Sequence, residues 1–340
     1  MTTVSAPGKV YLFGEHAVVY GEPAIPCAID RRARVSADVR DDDHVRVRAA
    51  DLTLDGFTVE YTGSVGGHPD VAVPQELVDA AMGYIDAAVT AVREVVGDPA
   101  LGFDLTVTSE LPLGAGLGSS AAVVVATIDA ASRACGTPLD RPTLAQLAYE
   151  AEARVQDGNA SRADTYASTM GGAVRVEGER TQQLAAPQLP FVIGYDGGAG
   201  ETGSLVAGVR SLREAHASAA QVIETIGAVV NEGQRLLTAA STGAVPSEEL
   251  LTEVGALMDI NHGLLSALGV SGQSLEAMVW AAREAGAVGA KLTGAGGAGC
   301  LSLITHLTLP TTPYVYVFGV ARPLTKNYRH EITFYHSHDS

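Results

Sequence analysis

The stretch of sequence that decides the fold is Pro112-Leu113-Gly114-Ala115-Gly116-Leu117-Gly118-Ser119-Ser120-Ala121-Ala122. It follows Phe103 to Ser109, whose alternating apolar and polar residues predict a strand, and it leads into a helix predicted over Ser119 to Ala134. A glycine-rich turn between strand and helix leaves backbone N–H groups free at the helix N-terminus, where they and the helix dipole attract phosphate. The stretch therefore predicts a phosphate-binding loop, with a plain tight turn as the alternative.

The loop differs from two common nucleotide-binding motifs. It lacks the Gly-Lys-Ser/Thr ending of a Walker A loop. A dinucleotide-binding loop would need an acidic residue roughly 20 positions further on, after a strand. Asp140 is the only candidate there, and it lies in a predicted turn between Pro138 and Pro142.

Two further motifs extend the pattern over most of the chain. The first, Ser5 to Gly21, contains Pro7-Gly8-Lys9 and Gly14-Glu15-His16-Ala17-Val18-Val19-Tyr20-Gly21, and the second is Lys291-Leu292-Thr293-Gly294-Ala295-Gly296-Gly297-Ala298-Gly299-Cys300. The three motifs, in their order along the chain, resemble those of the GHMP kinase superfamily, which includes galactokinase, homoserine kinase, mevalonate kinase and phosphomevalonate kinase. The phrase from Gly14 to Gly21 resembles the mevalonate kinases, and much less the galactokinases, which typically continue Gly-Glu-His with Thr-Asp.

Composition limits the class of protein. The chain has 340 residues, enough for two domains, and a net charge of −17, which argues against nucleic acid as a partner. The sequence shows neither a signal peptide nor an apolar run of about 18 residues, so we expect a cytoplasmic protein without a membrane span. Three widely spaced cysteines, Cys27, Cys135 and Cys300, fit a reducing compartment.

Lysine is scarce in this acidic chain. Only Lys9, Lys291 and Lys326 occur, against 39 Asp and Glu residues, and the first two lie inside candidate motifs. This balance suggests the hypothesis of a salt-adapted organism, and the resemblance is to the archaeal type of the family. An anionic nucleotide would then need local N–H donors, Lys9 and a cation to offset the overall charge.

The order of predicted elements is mixed, which favours an α+β fold over a doubly wound sheet. The resemblance implies a two-domain GHMP kinase fold, with an N-terminal domain like ribosomal protein S5 and a ferredoxin-like C-terminal domain. We place these domains at residues 1–178 and 179–303. Predicted strands cover Val4 to Phe13, Ala28 to Val39, Val45 to Val59, Phe103 to Ser109, Ala173 to Val176 and Phe191 to Tyr195, and predicted helices cover Gln75 to Val96, Ser119 to Ala134, Leu144 to Val155, most of Thr202 to Thr238, Ser247 to Leu268 and Ser274 to Ala285.

The C-terminal segment, residues 304–340, differs in composition from the rest of the chain. It holds four of the nine histidines and four of the eleven tyrosines, but a single alanine. We interpret it as an anomalous tail of foreign sequence, with an ordinary terminal extension as the alternative.

Phosphoryl transfer to an alcohol needs a phosphate cradle, a Mg²⁺ site, a cation and a carboxylate near the attacking hydroxyl. The resemblance implies that Glu152 and Ser120 bind Mg²⁺ and that Asp164, in a predicted loop, is the catalytic base. The spacing between the two carboxylates is one residue longer than the archaeal pattern, with Asp157 as the apparent insertion. From the residues alone, both carboxylates would be solvated surface groups.

The resemblance also implies the remaining site residues. Lys9 would lie beside Asp164 and the transferred phosphate, either tuning the aspartate or stabilising the transition state. The other implied contacts are to ATP by Pro112, Gly114, Ala115, Gly116, Leu117, Gly118, Ser119, Ser120, Ala121 and Ala122, and to mevalonate by Glu15, His16, Thr202 and Gly296.

The implied activity is Mg²⁺- and ATP-dependent phosphorylation of the 5-hydroxyl of mevalonate in isoprenoid biosynthesis. A second small-molecule kinase of the superfamily, such as phosphomevalonate kinase, stays open because Arg154 and Arg162 could serve a phosphorylated substrate. A ligand sensor that kept the fold without catalysis is a third alternative. Members of the superfamily often form homodimers, so a homodimer is an expectation here as well.

Overall fold

The computed structural model describes residues 1–49, 63–64, 75–112, 114–156, 160–198, 200–240, 245–305 and 317–319. Several sequence predictions therefore fall partly outside the described residues: the second half of the strand from Val45, the loop from Thr62 to Pro74, the insertion Asp157 and most of the C-terminal segment. Within these ranges, no helix combines the length and apolarity needed to cross a bilayer.

The described elements alternate between strands and helices. The strands are β1 (Thr2–Phe13), β2 (Ile25–Arg40), β3 (Val45–Ala49), β4 (Gly63–Ser64), β5 (Gly102–Ser109), β6 (Ala173–Glu177), β7 (Arg180–Leu184), β8 (Phe191–Tyr195), β9 (Gly289–Leu292), β10 (Cys300–Ile304) and β11 (Val317–Gly319). The helices are α1 (Gln75–Val96), α2 (Ser119–Ala134), α3 (Arg141–Val155), α4 (Arg162–Met170), α5 (Thr202–Ala215), α6 (Ala217–Ala239), α7 (Glu248–Ala267) and α8 (Gln273–Glu284), with a short 3₁₀ helix at Ala17–Tyr20.

The strands form two sheets, as the α+β prediction requires. The larger has the order β4-β3-β5-β2-β6-β7, and β1 pairs antiparallel with β2. The smaller has the order β11-β8-β10-β9. The predicted domain boundary at 178/179 falls in the turn between β6 and β7, which pair in the larger sheet; the exact division between domains stays a prediction.

Helix α2 forms the centre of the larger core. Its bounds agree with the predicted Ser119 to Ala134, and it packs against β1, β2, α1 and α3. Small residues such as Ala122, Ala126 and Ala130 are fully buried and allow these neighbours to approach closely. Because the glycine-rich loop leads directly into a buried helix, the loop is held by the core.

The structure corrects the predicted secondary structure at several places. Asp164 lies in the first turn of α4 and not in a loop, because Ser161 caps that helix by accepting a hydrogen bond from the Ala163 N–H at 3.1 Å. Helix α3 begins at Arg141, three residues early, because Asp140 is its N-cap and accepts from the Thr143 N–H at 2.9 Å. Strands β7 and β10 were not predicted, since neither stretch is long enough to show a clear alternation.

The glycine-rich loop that contains Gly116 and the C-terminal motif that contains Gly294 pack against each other through their backbones. A Cβ added at Gly116, where φ is +81°, would lie 2.9 Å from the Thr293 carbonyl oxygen. A Cβ added at Gly294, where φ is +85°, would lie 2.8 Å from the Gly116 Cα. Glycine is required here both for the left-handed conformation and for the close approach.

We expect the substitution Gly116→Ala to cost more stability than Gly136→Ala. Both glycines have positive φ, but nothing lies within 4 Å of a Cβ at Gly136, so the control measures the conformational penalty alone, about 1–2 kcal/mol. Gly116→Ala should add the cost of separating two backbone segments. Equal losses in urea unfolding free energy would contradict the close packing of the two loops.

Candidate active site

A cavity of about 730 Å³ lies where the three sequence motifs meet. Its wall includes Lys9 of β1, the loop from Gly114 to Ser120, Glu152 of α3, Asp164 of α4 and Gly294. The structure thus brings together residues that lie up to 285 positions apart in the chain. The volume of the cavity is in the range expected of a binding site for a small molecule.

Lys9 is the buried cation of this cavity. Its Nζ lies 3.1 Å from Asp164 Oδ2 and donates to the Gly116 carbonyl oxygen at 3.3 Å. Its aliphatic part runs against Gly118, where a Cβ would lie 2.9 Å from Lys9 Cγ. The lysine therefore joins the carboxylate to the glycine-rich loop, as the resemblance implied, although alternation along the strand alone would have placed it in solvent.

Tyr11 also contacts the carboxylate of Asp164, and it was not among the predicted site residues. Its hydroxyl donates to Asp164 Oδ1 at 3.0 Å, and its ring lies 4.3 Å from Lys9 Nζ. Burial, followed by the negative charge of Asp164, raises the pKa of Tyr11 well above its ordinary value, so the phenol stays a hydrogen-bond donor. The signal in the sequence was its position two residues after Lys9, on the same face of a strand.

Glu152 and Ser120 provide the oxygen atoms of a candidate cation site. Glu152 is buried, its Oε1 has no hydrogen-bond partner among the described residues, and burial together with Asp164 raises its pKa to about 8 despite a hydrogen bond from Ser120. A divalent cation would satisfy the unpaired oxygen and favour the ionised carboxylate. The donor set fits Mg²⁺, which takes one or two carboxylates and completes its shell with water and phosphate oxygens.

The N-terminus of α2 offers donors for phosphate. Gly118 precedes the helix in a left-handed conformation, no side chain caps the end, and the first turn carries no acidic residue. The backbone N–H groups there are thus available to an anion. Ser119 and Ser120 line the cavity, while Ala121 and Ala122 are buried in the same turn.

His16 adopts a strained conformation at the edge of the cavity. It has φ of +59°, the one positive φ among the described non-glycine residues, and its Nε2 lies 2.8 Å from the Ala295 carbonyl oxygen. Burial lowers the pKa of His16, which keeps the imidazole neutral. Strain of this kind at a cavity is common where a side chain must point at a ligand.

Glu15 makes a buried ion pair with Lys291 of the last motif. Lys291 Nζ also donates to the carbonyl oxygens of Tyr11 and Leu292 at 3.2 and 2.7 Å. Asn261 Nδ2 donates to the second oxygen of Glu15 at 3.4 Å. Both oxygens of Glu15 thus have protein partners, although the residue borders the cavity; its predicted contact with substrate stays a prediction.

The remaining predicted residues divide into two groups. Thr202, at the start of α5, lies in the cavity wall. Pro112, which precedes the glycine-rich loop, also lies in the cavity wall. Gly296 does not line the cavity, whereas Gly294 and Ala295 do, and a Cβ at Gly296 would be 2.0 Å from the Val270 carbonyl oxygen. Its predicted contact with substrate stays a prediction. The cavity residues that gave no signal as site residues in the sequence analysis include Tyr84 of α1 and Arg210 of α5.

Comparisons with known proteins identify the family of this chain. The family model of the GHMP kinases N terminal domain matches residues 83–172, that of the GHMP kinases C terminal domain matches residues 247–308, and a galactokinase galactose-binding signature matches residues 2–39. The chain is 41% identical over 299 residues to a mevalonate kinase of Pyrococcus horikoshii, covering 87% of this chain and 86% of that protein.

Solved structures show the same fold. The crystal structure of the Methanococcus jannaschii mevalonate kinase is similar at a TM-score of 0.71 and 26% identity, over 89% of this chain and 90% of that chain. The L. major mevalonate kinase, crystallised in complex with R-mevalonate, is similar at a TM-score of 0.72 over 91% of this chain and 88% of that chain; at 23% identity it supports the fold alone.

The raised pKa of Glu152 predicts a pH-dependent loss of stability in metal-free protein. Between the ordinary carboxyl range and about pH 8 the folded state binds a proton that the unfolded state has lost, so the free energy of unfolding falls as pH rises, by roughly 1.4 kcal/mol per pH unit at most. Glu152→Gln should remove this slope in urea titrations with chelator at several pH values. The control is Glu150→Gln, an exposed carboxyl on the same helix, and identical pH profiles for the two variants would contradict the assignment.

The Glu15–Lys291 pair predicts a large asymmetry between single and double substitutions. Lys291→Met leaves Glu15 buried without its cation and should cost about 3–5 kcal/mol of unfolding free energy. Combining it with Glu15→Gln removes the uncompensated charge and should restore much of the loss. Additive effects of the two substitutions in denaturant titrations would show that the residues do not act as a pair.

Proposed function

Since this chain belongs to the mevalonate kinase family of the GHMP kinases, we propose that it transfers the γ-phosphoryl group of ATP to the 5-hydroxyl of mevalonate, forming 5-phosphomevalonate for isoprenoid biosynthesis. The observation that carries the proposal is the contact of the buried Lys9 Nζ with Asp164 Oδ2 in the cavity wall, next to the glycine-rich loop. A carboxylate, a cation and a phosphate-binding helix terminus are the parts that phosphoryl transfer to an alcohol needs.

In the proposed reaction, Asp164 accepts a hydrogen bond from the 5-hydroxyl and holds it in line with the γ-phosphorus. The hydroxyl oxygen bonds to phosphorus, the bond from phosphorus to the bridging oxygen breaks, and the hydroxyl proton passes to Asp164. Tyr11 and Lys9 each hold one oxygen of Asp164, which limits its orientation. Lys9 also lies close enough to the loop to stabilise negative charge on the transferring group.

The α2 N-terminus and the residues before it bind the phosphates through backbone N–H groups in this proposal. Glu152 and Ser120 would hold Mg²⁺, which when bound neutralises phosphate charge. His16 would remain a neutral hydrogen-bonding group toward mevalonate. These roles follow from donor type, burial and position in the cavity wall.

Two alternatives receive less support. A phosphorylated mevalonate would need a cation for its phosphate in addition to one for its carboxylate. Arg154 bonds to Glu94 and Arg162 stacks on Tyr149, and neither lies in the cavity wall, where Arg210 is the arginine present. A non-catalytic sensor would have no need for a half-buried carboxylate held by both a lysine and a tyrosine. Galactose is a required comparison substrate, because a galactokinase signature matches residues 2–39.

We expect coupled ADP-release assays with Mg²⁺ and ATP to show turnover of mevalonate, and not of phosphomevalonate, galactose or homoserine. Running them at low and molar KCl also tests the hypothesis of salt adaptation. Activity with phosphomevalonate or galactose in place of mevalonate would contradict the proposal.

Asp164→Asn should lower kcat by about 10²–10⁴-fold, the range typical of lost general-base catalysis. ATP binding measured by calorimetry should stay within about threefold, because Asp164 contacts the hydroxyl side of the site. Thermal unfolding of the variant provides the control for folding. Unchanged kcat would exclude Asp164 as the catalytic carboxylate.

A further inference from the structure

We propose that Arg210 binds the carboxylate of the substrate and thereby makes the site specific for a hydroxy acid. The proposal rests on the proposed function, since it assigns a residue to the acid end of mevalonate. Arg210 was not predicted from the sequence, and it carries the guanidinium that pairs best with a carboxylate, through two parallel hydrogen bonds.

The position of Arg210 on α5 directs it into the cavity. Thr202, Val206 and Arg210 follow each other at intervals of four residues, so they share one face of the helix, and all three line the cavity. Arg210 therefore lies one turn beyond Val206 and two turns beyond Thr202 on the helix face that borders the cavity.

The neighbours of Arg210 place it at the end of the cavity formed by the 3₁₀ helix. Burial raises the pKa of the Tyr20 phenol, and the nearby charges of Arg210 and Arg213 oppose that shift. Tyr20 ends the same short helix whose Val18 and Val19 line the cavity. An anion bound by Arg210 would thus lie beside this apolar wall.

The other cations of the site already have partners. Lys9 is held by Asp164 and the Gly116 carbonyl oxygen, and Lys291 by Glu15. His16 is kept neutral, because burial lowers its pKa. These groups leave the charge of a substrate carboxylate without a counter-ion.

Arg210 is different in this respect. Within the described part of the chain it makes no hydrogen bond or ion pair, and the residue is exposed and lines the cavity. Arg213, one turn further along α5, lies over the Tyr20 ring at 5.0 Å and is not part of the cavity wall. In a chain of net charge −17, an arginine in the cavity wall without an acidic partner is suited to a ligand anion.

The test compares Arg210→Gln with Arg210→Lys and with Arg213→Gln as the matched control. Arg210→Gln should raise KM for mevalonate about tenfold or more, because charge-assisted hydrogen bonds to the carboxylate are lost, while KM for ATP changes less than about threefold. Arg210→Lys should recover part of the loss, since lysine keeps the charge without the planar fork. Arg213→Gln should leave both constants within about twofold of the wild type.

A neutral analogue separates carboxylate binding from a general disturbance of the site. In 3-methylpentane-1,3,5-triol a hydroxymethyl group replaces the carboxylate, so wild type and Arg210→Gln should phosphorylate it with equal kcat/KM. A loss of kcat/KM of the same size with mevalonate and with the triol would overturn the assignment. An increase confined to the KM for ATP would also overturn it, because it would place Arg210 on the nucleotide phosphates.

Turnover of mevalonate by the wild type distinguishes the proposed function from the proposed role of Arg210. Absence of wild-type turnover with mevalonate would overturn the proposed function and this assignment with it. Normal wild-type turnover with an unaffected Arg210→Gln variant would overturn the role of Arg210 alone.

Discussion

The structure of the site depends on the buried side chain of Lys9. Its stem packs against Gly118, its ammonium group contacts Asp164, and its own backbone N–H donates to the Leu117 carbonyl oxygen at 2.8 Å. One residue thereby sets the separation between the glycine-rich loop and the carboxylate. A larger residue at position 118 would displace the lysine, which is why the loop needs glycine there as well as for its left-handed backbone.

The two halves of the chain meet around β1 through polar contacts. The Tyr11 N–H donates to Thr293 Oγ1 at 2.8 Å, the Gly14 N–H donates to Asn261 Oδ1 at 3.3 Å, and Lys291 pairs with Glu15. Burying a polar group without a partner costs free energy, so each contact constrains the position of the C-terminal half relative to β1. This interface, and not the loop alone, defines the cavity floor at Gly294 and Ala295.

Some charged side chains in and beside the cavity are paired with each other, and others have no charged partner in the described part of the chain. The paired ones hold the protein segments together, and the unpaired ones are available to ligands. Glu15 and Lys291 neutralise each other, and Lys9 is shared between Asp164 and the loop. Glu152, which has an unsatisfied buried oxygen, and Arg210, which has no acidic partner among the described residues, are the groups left to a cation and an anion. An acidic protein can therefore bind anionic ligands by local arrangement, despite its overall charge.

The sequence by itself determined the glycine-rich turn, the helix from Ser119 to Ala134, the α+β class and the kinase superfamily, because these depend on local periodicity and on glycine motifs of recognisable spacing. Only the tertiary structure decided that Tyr11 holds the carboxylate of Asp164 and that Glu15 is paired with Lys291. It also brought Arg210 into the cavity, eight residues after Thr202 on one helix face. The physical reason is that burial, pairing and orientation of a charge arise from contacts between segments far apart in the chain, which local sequence patterns do not encode.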